Sequence, residues 1–293
     1  MSGVLEIRLR ASVGPWAGRA TDAVGRLPVV LSIALVAVTL VVAAVSLSFG
    51  DLLRGPAAMN GSLQGTALVM LLVTVPVLVV SMALVERGRT LPLLGWLGAV
   101  ASIAYQGVLF AYATPFNAFF FLYVAMLSLG IWSLVVLAAR TPVERLAGAI
   151  GARAPVRLVA AWLLLNMGAF LLLWLRATVP AVLSSQPPAF LEGTGMITGV
   201  GQVLDLGFTL PIMTVAAILL LQRRPLGFVL AGALLVMLTI ETLSIGVDQW
   251  FGALADPASS VVSMALVPVF GVMTVLGLAV LALFLRQRPR DSA

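Results

Sequence analysis

Apolar residues form long uninterrupted stretches between residues 27 and 285 of the chain. A bilayer core about 30 Å thick is crossed by about 20 residues of α-helix, because each residue adds about 1.5 Å. The pattern therefore predicts an all-α, polytopic transmembrane domain over 27–285. Its eight predicted spans are 27–49, 66–85, 91–113, 116–139, 156–178, 203–221, 226–247 and 262–285.

Positive charge is distributed unequally between the two sides of this eight-span topology. Of the 17 basic residues, 15 lie in the two tails or in the loops that share their side. Cytoplasmic segments carry the excess of basic residues in membrane proteins. We therefore expect both termini to be cytoplasmic, with basic tails over 1–26 and 286–293. The opposite side holds Arg54, Asp51, Glu192, Asp248 and Asp256.

A shift of 135 residues aligns the second and third spans with the sixth and seventh without a gap. The segment from Thr74 to Pro76 then matches Thr209-Leu-Pro211, and Gln106 matches Glu241. Only six of the 33 positions from 74 to 106 are identical, which apolar sequences can reach by chance. The conserved spacing of these polar groups and prolines favours two parallel four-span halves, related by an axis along the membrane normal.

Composition excludes several classes of membrane protein. Hydrophobic residues make up 61% of the chain and charged residues 10%, against about 45–50% and 25% in soluble domains. The sequence contains no cysteine, histidine or lysine. It therefore lacks the residues for thiolate metal sites, histidine-ligated haem or zinc, a retinal Schiff base or a Walker A loop. We expect no cofactor and no metal site, and the codon bias implied by the composition favours a bacterial source.

The formal net charge of +6 is spread over short segments beside the predicted spans. Such juxtamembrane arginines are typical of contact with anionic lipid headgroups. We therefore expect anionic lipids at the cytoplasmic face, and no nucleic-acid partner.

Apart from Arg157 at the inner end of the fifth span, three acidic or basic residues fall inside the predicted spans: Glu241, Asp205 and Arg176. Such residues cost about 2.5–3.5 kcal/mol on insertion scales, so each is a candidate functional residue. Glu241 lies about 22 Å from the inner end of its span. Ser244 and Asp248 follow it on the same helix face, which predicts a polar stripe that opens to the outside.

Each of these residues also has a structural interpretation. Arg176 is as readily explained by a side chain that reaches the outer headgroups. Asp205, with Thr209 one turn below it, lies in the first turn of its helix, where the helix dipole favours a carboxylate. Glu241 has no such role, although it can serve as a hydrogen-bonded link between helices.

Uncharged polar residues extend the candidate site. Gln106 has Ser102 one turn before it on the same face, and Asn166 lies midway along the fifth span. Such groups form hydrogen bonds between helices worth about 0.6–2 kcal/mol, and packing is their more frequent use. We include Gln106 and Asn166 as candidate substrate- or ion-binding residues, and no residue is assigned a catalytic role.

Two segments in the second half carry a resemblance to other proteins. They are Asp205-Leu-Gly-Phe-Thr-Leu-Pro211 and Leu219-Leu-Leu-Gln-Arg-Arg-Pro-Leu-Gly-Phe228. The chain resembles, over about the fourth to seventh spans, a group of bacterial multi-pass membrane proteins with no established activity. The resemblance implies a bacterial membrane protein and transfers no functional residue.

Three functions remain open from the sequence. The leading hypothesis is a small-solute or ion transporter with an outward-facing polar site among spans five to seven, with proton coupling as one option. The second is a non-catalytic membrane subunit, sensor or lipid-binding scaffold. The third is an enzyme that uses carboxylates alone; it ranks last because aspartyl proteolysis needs two converging intramembrane aspartates and Asp205 is the one available.

The predicted orientation can be tested with introduced cysteines, since the chain has none. A cysteine at residue 190 should react with a membrane-impermeant maleimide in intact cells, because that loop is predicted to be external. A cysteine at residue 150 should be protected until the membrane is permeabilised. The reverse pattern would contradict the orientation.

Overall fold

The computed structural model describes residues 24–151 and 154–286. This described part is all-helical, and most of both predicted tails lies outside it. Short 3-10 turns occupy Gly50–Leu53 and Ala189–Leu191. The helices are α1 (Arg26–Ser48), α2 (Ala57–Glu86), α3 (Pro92–Tyr112), α4 (Phe120–Arg140), α5 (Val143–Ile150), α6 (Val156–Ser184), α7 (Val200–Leu221), α8 (Pro225–Ala255) and α9 (Leu266–Leu285).

All of these helices except the short α5 are long and apolar enough to cross a membrane, which gives eight candidate spans in the described residues. Each of the eight predicted stretches thus contains a helix, although the fourth begins four residues later than predicted, at Phe120, and the eighth four residues later, at Leu266. The helix α2 begins nine residues before its predicted start, because its polar first turns find partners within the protein. Asn60 exchanges two hydrogen bonds with the backbone of Gly55, and the Ser62 hydroxyl donates to the Asp248 carbonyl of α8 at 3.2 Å.

The helix ends that carry Arg26, Arg140, Arg224 and Arg286 define what we call the arginine-rich side of the bundle. At this side the start of α1 meets the end of α4, since Gly25 lies beside the Arg140 guanidinium. The other helix ends, next to Arg54 and the loop 185–199, define the opposite side.

Helices α3 and α8 form the centre of the bundle. In their apolar stretches 72% and 78% of the residues are buried, against 17–39% in the other six spans. The helix α8 packs against α2, α3, α7 and α9, and α3 also packs against α4. The outer helices, such as α6 and α9, expose many leucines and valines, which is the surface expected to face lipid.

Glycines allow the central helices to approach one another closely. A Cβ atom at Gly98 of α3 would lie 2.6 Å from the Ala233 carbonyl oxygen of α8. A Cβ atom at Gly65 of α2 would lie 2.7 Å from the Val247 carbonyl oxygen on the same helix α8. Small residues at such contacts are typical of helix packing in membranes, where close van der Waals contact replaces the hydrophobic effect.

Two helices contain a five-residue π-helical turn that ends two residues before a proline. In α2 the turn is Met70–Thr74 before Pro76, and in α7 it is Asp205–Thr209 before Pro211. Proline has no backbone N–H and its ring displaces the carbonyl four residues earlier. A π-turn accommodates this defect with one additional residue, and such turns often occur at functional sites.

The short helix α5 is amphipathic and packs against α8. Leu146 and Ile150 are buried, whereas Glu144 and Arg145 are exposed. Because Ile150 is buried, the exposed Gly148 is the better position for the labelling test of this loop.

The packing can be tested with two glycine-to-alanine variants. Gly98→Ala should lower the detergent melting temperature, because overpacking a tight interface costs roughly 1–3 kcal/mol. Gly271→Ala in α9 is the control, since no atom lies within 4 Å of its added Cβ. The control should be neutral or slightly stabilising, because alanine is the better helix former. Equal melting temperatures for the two variants would contradict the close α3–α8 contact.

Candidate functional site

Glu241 lies near the middle of α8 and is buried against α3. The Ser102 hydroxyl donates to its Oε1 at 2.5 Å, and the Gln106 amide donates to its Oε2 at 2.6 Å. Both donors are themselves buried, at 1% and 5% exposure. The carboxylate therefore connects α3 and α8 through one hydrogen bond at each oxygen.

The sequence of α3 explains why both donors reach Glu241. Gly98, Ser102 and Gln106 follow one another at intervals of four residues, so they share one helix face. Gly98 brings this face into close contact with α8, and the next two turns present the hydroxyl and the amide. The predicted pairing of Gln106 with Ser102 on one face is present, and that face is directed at Glu241.

Asp205 lies at the first position of the π-turn in α7 and is 8% exposed. The Tyr105 hydroxyl of α3 donates to its Oδ1 at 3.1 Å, and the Trp174 indole N–H of α6 donates to its Oδ2 at 2.9 Å. Asp205 thus connects α7 with two neighbouring helices. We call Asp205, Glu241 and their four hydrogen-bond donors the carboxylate cluster.

The carboxylate cluster depends on a single short segment of α3. Ser102, Tyr105 and Gln106 supply three of its four donors and lie within about 6 Å along the helix axis. All four donors are neutral groups. Hydrogen bonds from neutral donors stabilise a carboxylate without cancelling its charge.

Arg176 is not a partner of either carboxylate. It lies exposed on α6, two residues after Trp174. Glu241 and Asp205 therefore bond to neighbouring residues of α3, whereas Arg176 lies at the surface of the bundle. This placement agrees with a side chain that reaches the headgroup region.

The polar stripe predicted on α8 is divided between two neighbouring helices. Glu241 faces α3, whereas the buried Ser244 hydroxyl lies 3.5 Å from the Thr66 hydroxyl of α2. Asp248 is half-buried near Gly65 of α2, and its side-chain partner is the adjacent Gln249 amide at 3.1 Å. Ser244 and Asp248 therefore belong to the α2–α8 contact.

The remaining predicted site residues bond to their own helices. The Asn166 amide donates to the Trp162 carbonyl of α6 at 2.8 Å. The Thr209 hydroxyl lies 3.5 Å from the Leu204 carbonyl, at the π-turn one turn below Asp205. Thr209 thus borders the carboxylate cluster. Asn166 bonds to the carbonyl four residues earlier, and a polar side chain can make this bond in any α-helix.

Sequence reasoning missed Tyr105 and Trp174 as site residues. Buried tyrosine and tryptophan usually find a partner for their polar hydrogen. Tyr105 lies next to Gln106 in the middle of a span, and Trp174 lies two residues before Arg176 in the outer part of another. These positions were the available signal, but the acceptor, Asp205, lies on a third helix.

The described residues contain no group of three or more histidine, cysteine, aspartate or glutamate side chains that could hold a metal ion. The carboxylate cluster offers two acidic side chains and four neutral donors. Such a site can bind a proton, a monovalent cation or the cationic group of a small solute.

Substitutions of Glu241 should separate what its side-chain shape contributes to thermal stability from what its charge contributes. Glu241→Gln should keep the melting temperature within a few degrees, because the new amide oxygen accepts from Ser102, its NH2 group donates to Gln106 once that amide is flipped, and the volume is unchanged. Glu241→Ala should lower it clearly, since it leaves Ser102 and Gln106 without a partner at about 1–3 kcal/mol for each unsatisfied group. The measurement is thermal unfolding in detergent. A loss for Glu241→Gln as large as that for Glu241→Ala would contradict this arrangement.

Comparison with known proteins adds no assignment to these observations. No family model matches the chain, and no curated protein or solved structure matches it. The residues and contacts of the carboxylate cluster are therefore the basis for a function.

Proposed function

We propose that this protein is a transporter of a small solute or ion in the cytoplasmic membrane of a bacterium, with transport coupled to protons. The single observation that carries the proposal is the carboxylate cluster. Glu241 and Asp205 are buried in spans and accept hydrogen bonds from neutral groups alone.

When Glu241 or Asp205 is ionised, its negative charge is not compensated by a positive group among the described residues. An ionised carboxylate inside a bilayer is costly unless a cation accompanies it. The donors around Glu241 and Asp205 do not supply a positive charge, so binding of a proton or a cationic solute is what balances it. A site whose charge balance depends on a mobile cation is suited to couple one solute to another.

The position of Asp205 supports access from the side opposite to the arginine-rich side. The helix α7 begins at Val200, so Asp205 lies about 7.5 Å below the helix end. The corresponding part of α2 continues for 13 residues above its π-turn. Asp205 therefore lies closer to the end of its helix than the π-turn of α2 lies to the end of α2.

Two features support a chain made of two parallel four-span halves, which is part of this proposal. The two π-turns, Met70–Thr74 and Asp205–Thr209, are 135 residues apart. Gln106 and Glu241 are also 135 residues apart and hydrogen-bond directly to one another. Equivalent residues meet in this way at a two-fold axis, so the axis of the proposed repeat would pass between α3 and α8.

The remaining parts of the proposal follow from charge. We place the arginine-rich side in the cytoplasm, where anionic headgroups attract basic juxtamembrane residues. This places the carboxylate cluster nearer to the outer face. Arg26, Arg140, Arg224 and Arg286 are then the described residues closest to those lipids.

A second function, a non-catalytic membrane scaffold, is favoured by one specific observation. Both oxygens of Glu241 are occupied by donors from α3, directly beside the close contact at Gly98. A carboxyl group that joins two helices permanently needs no bound proton or solute. In that case Glu241 determines helix pairing and moves no solute.

Transport can be measured in liposomes that contain the purified protein and an internal pH-sensitive dye, with the membrane potential clamped. Amino acids, organic cations, sugars and inorganic ions are added in turn under an inward proton gradient. We expect one class of solute to increase proton entry above that of empty liposomes. Glu241→Gln and Asp205→Asn should abolish this increase, because an amide does not take up a proton.

Arg176→Gln is the matched control, because Arg176 is exposed and makes no contact with the carboxylate cluster. It should retain the wild-type rate. Solute-dependent proton entry that persists in both Glu241→Gln and Asp205→Asn would overturn the transporter proposal. Wild-type protein that moves no tested solute, with a lower melting temperature for Glu241→Ala, would favour the scaffold.

A further inference from the structure

Five buried hydroxyl groups in the first half of the chain have no hydrogen-bond partner among the described residues. They belong to α1, α2 and α4, and each residue is at most 1% exposed. A buried hydroxyl without a partner costs about 1–3 kcal/mol, so five in one region require a physical explanation. The five are Thr39, Ser46, Thr74, Tyr123 and Ser133.

Other hydroxyl side chains of the spans show that this state is avoidable. The hydroxyls of Thr178, Thr214, Thr239 and Thr274 all donate to the carbonyl four residues earlier on their own helix. This local bond is available to any threonine or serine inside a helix. The serine and threonine hydroxyls among the five make no such bond, and their atoms are buried without another partner.

Measured along the helix axes, the five hydroxyls lie at successive depths, in a line from one side of the bundle towards the other. Ser32, Thr39 and Ser46 follow one another at intervals of seven residues on α1 and are all fully buried. They share one helix face and extend over about 21 Å. Ser133 of α4 lies seven residues before Arg140, whose side chain meets Gly25, seven residues before Ser32. Ser133 is therefore level with Ser32, near the arginine-rich side.

Further polar groups occupy the opposite end of this line. The Tyr123 hydroxyl faces the side chains of Asn117 and Ser46, yet does not reach direct hydrogen-bond geometry with either. The Asn117 amide lies 3.5 Å from the Leu53 carbonyl, and the Gln64 amide donates to the Ser46 carbonyl at 3.3 Å. Polar groups gathered in this way, with hydroxyls left unpartnered, are commonly bridged by water.

Thr74 adds a hydroxyl at middle depth. It ends the π-turn of α2, a segment that packs against α1 and α3. Its counterpart Thr209 in α7 approaches the Leu204 carbonyl, whereas Thr74 has no such partner. The line thus passes from Tyr123 and Ser46 through Thr39 and Thr74.

We propose that a file of bound water molecules fills this interface between α1, α2 and α4 and hydrates it from the opposite side towards the level of Ser133. Each water molecule would satisfy hydroxyls that no protein atom reaches, as buried waters do with two to four polar partners. We call this interface the hydroxyl line. The inference depends only on the unpartnered hydroxyls and not on the transporter proposal, because it concerns different helices from Glu241 and Asp205.

Silver ion is a suitable probe, because it is small, needs a polar path and reacts with thiols. Thr39→Cys and Ser46→Cys place a thiol in the hydroxyl line of a chain that otherwise contains no cysteine. The purified variants are exposed to silver nitrate in chloride-free buffer, and the remaining free thiol is then titrated with maleimide after unfolding. We expect both variants to react at least about tenfold faster than an apolar site, since thiols in apolar surroundings are inert.

Leu163→Cys and Ala217→Cys are the matched controls. Both positions are apolar, are as fully buried as Thr39 and Ser46, and lie on α6 and α7, outside the hydroxyl line. Reaction rates for Thr39→Cys and Ser46→Cys that equal those of the controls would overturn the proposal.

A second measurement does not depend on reagent access. Thr39→Val removes the hydroxyl and keeps the shape of the side chain. With bound water the variant should melt at a lower temperature, because the water loses a partner. With a dry interface the variant should melt at a higher temperature, because an unsatisfied group is removed, and that result would overturn the proposal. Thr214→Val corrects for the general effect of the exchange, since Thr214 has its local bond.

Discussion

A carboxylate in the middle of a membrane span must receive hydrogen-bond donors from the protein, and this requirement organises the centre of the fold. Glu241 receives its donors from Ser102 and Gln106 of α3, so the two most buried helices are joined at their middle. Asp205 of α7 has the same requirement, and its donors are Tyr105 and Trp174. Two acidic residues thereby determine which helices lie beside one another at the core.

The donors reach these acids because the helices approach closely. Gly98 removes the side chain that would hold α3 away from α8, and Gly65 does the same for α2. Without such contacts a serine hydroxyl, which extends only slightly from its helix, would not reach a carboxylate on a neighbour. Glycine packing and buried polar bonds are therefore two parts of one arrangement, in which each glycine contact shortens the distance that a donor must span.

The eight spans were predictable from the sequence because lipid requires long apolar helices, and that signal is local. Their ends were less predictable: the polar first turns of α2 are helical because Ser62 bonds to α8, and that contact is not visible in α2 itself. Glu241 and Gln106 were singled out correctly as interior polar residues. The role of Tyr105 was missed because its acceptor lies 100 residues away on α7. Which helices become neighbours is a property of the whole fold.

The glycine contacts also divide the bundle mechanically. The helices α2, α3 and α8 have no room between them for even a methyl group at Gly65 or Gly98, so they form one rigid block. The helix α7 is tied closely to that block at the arginine-rich side, where Gly227 of α8 meets its last turn. At its other end, α7 meets α3 mainly through its first turns. A displacement of α7 that leaves these three helices in place would have to pivot at Gly227 and break the Tyr105–Asp205 hydrogen bond.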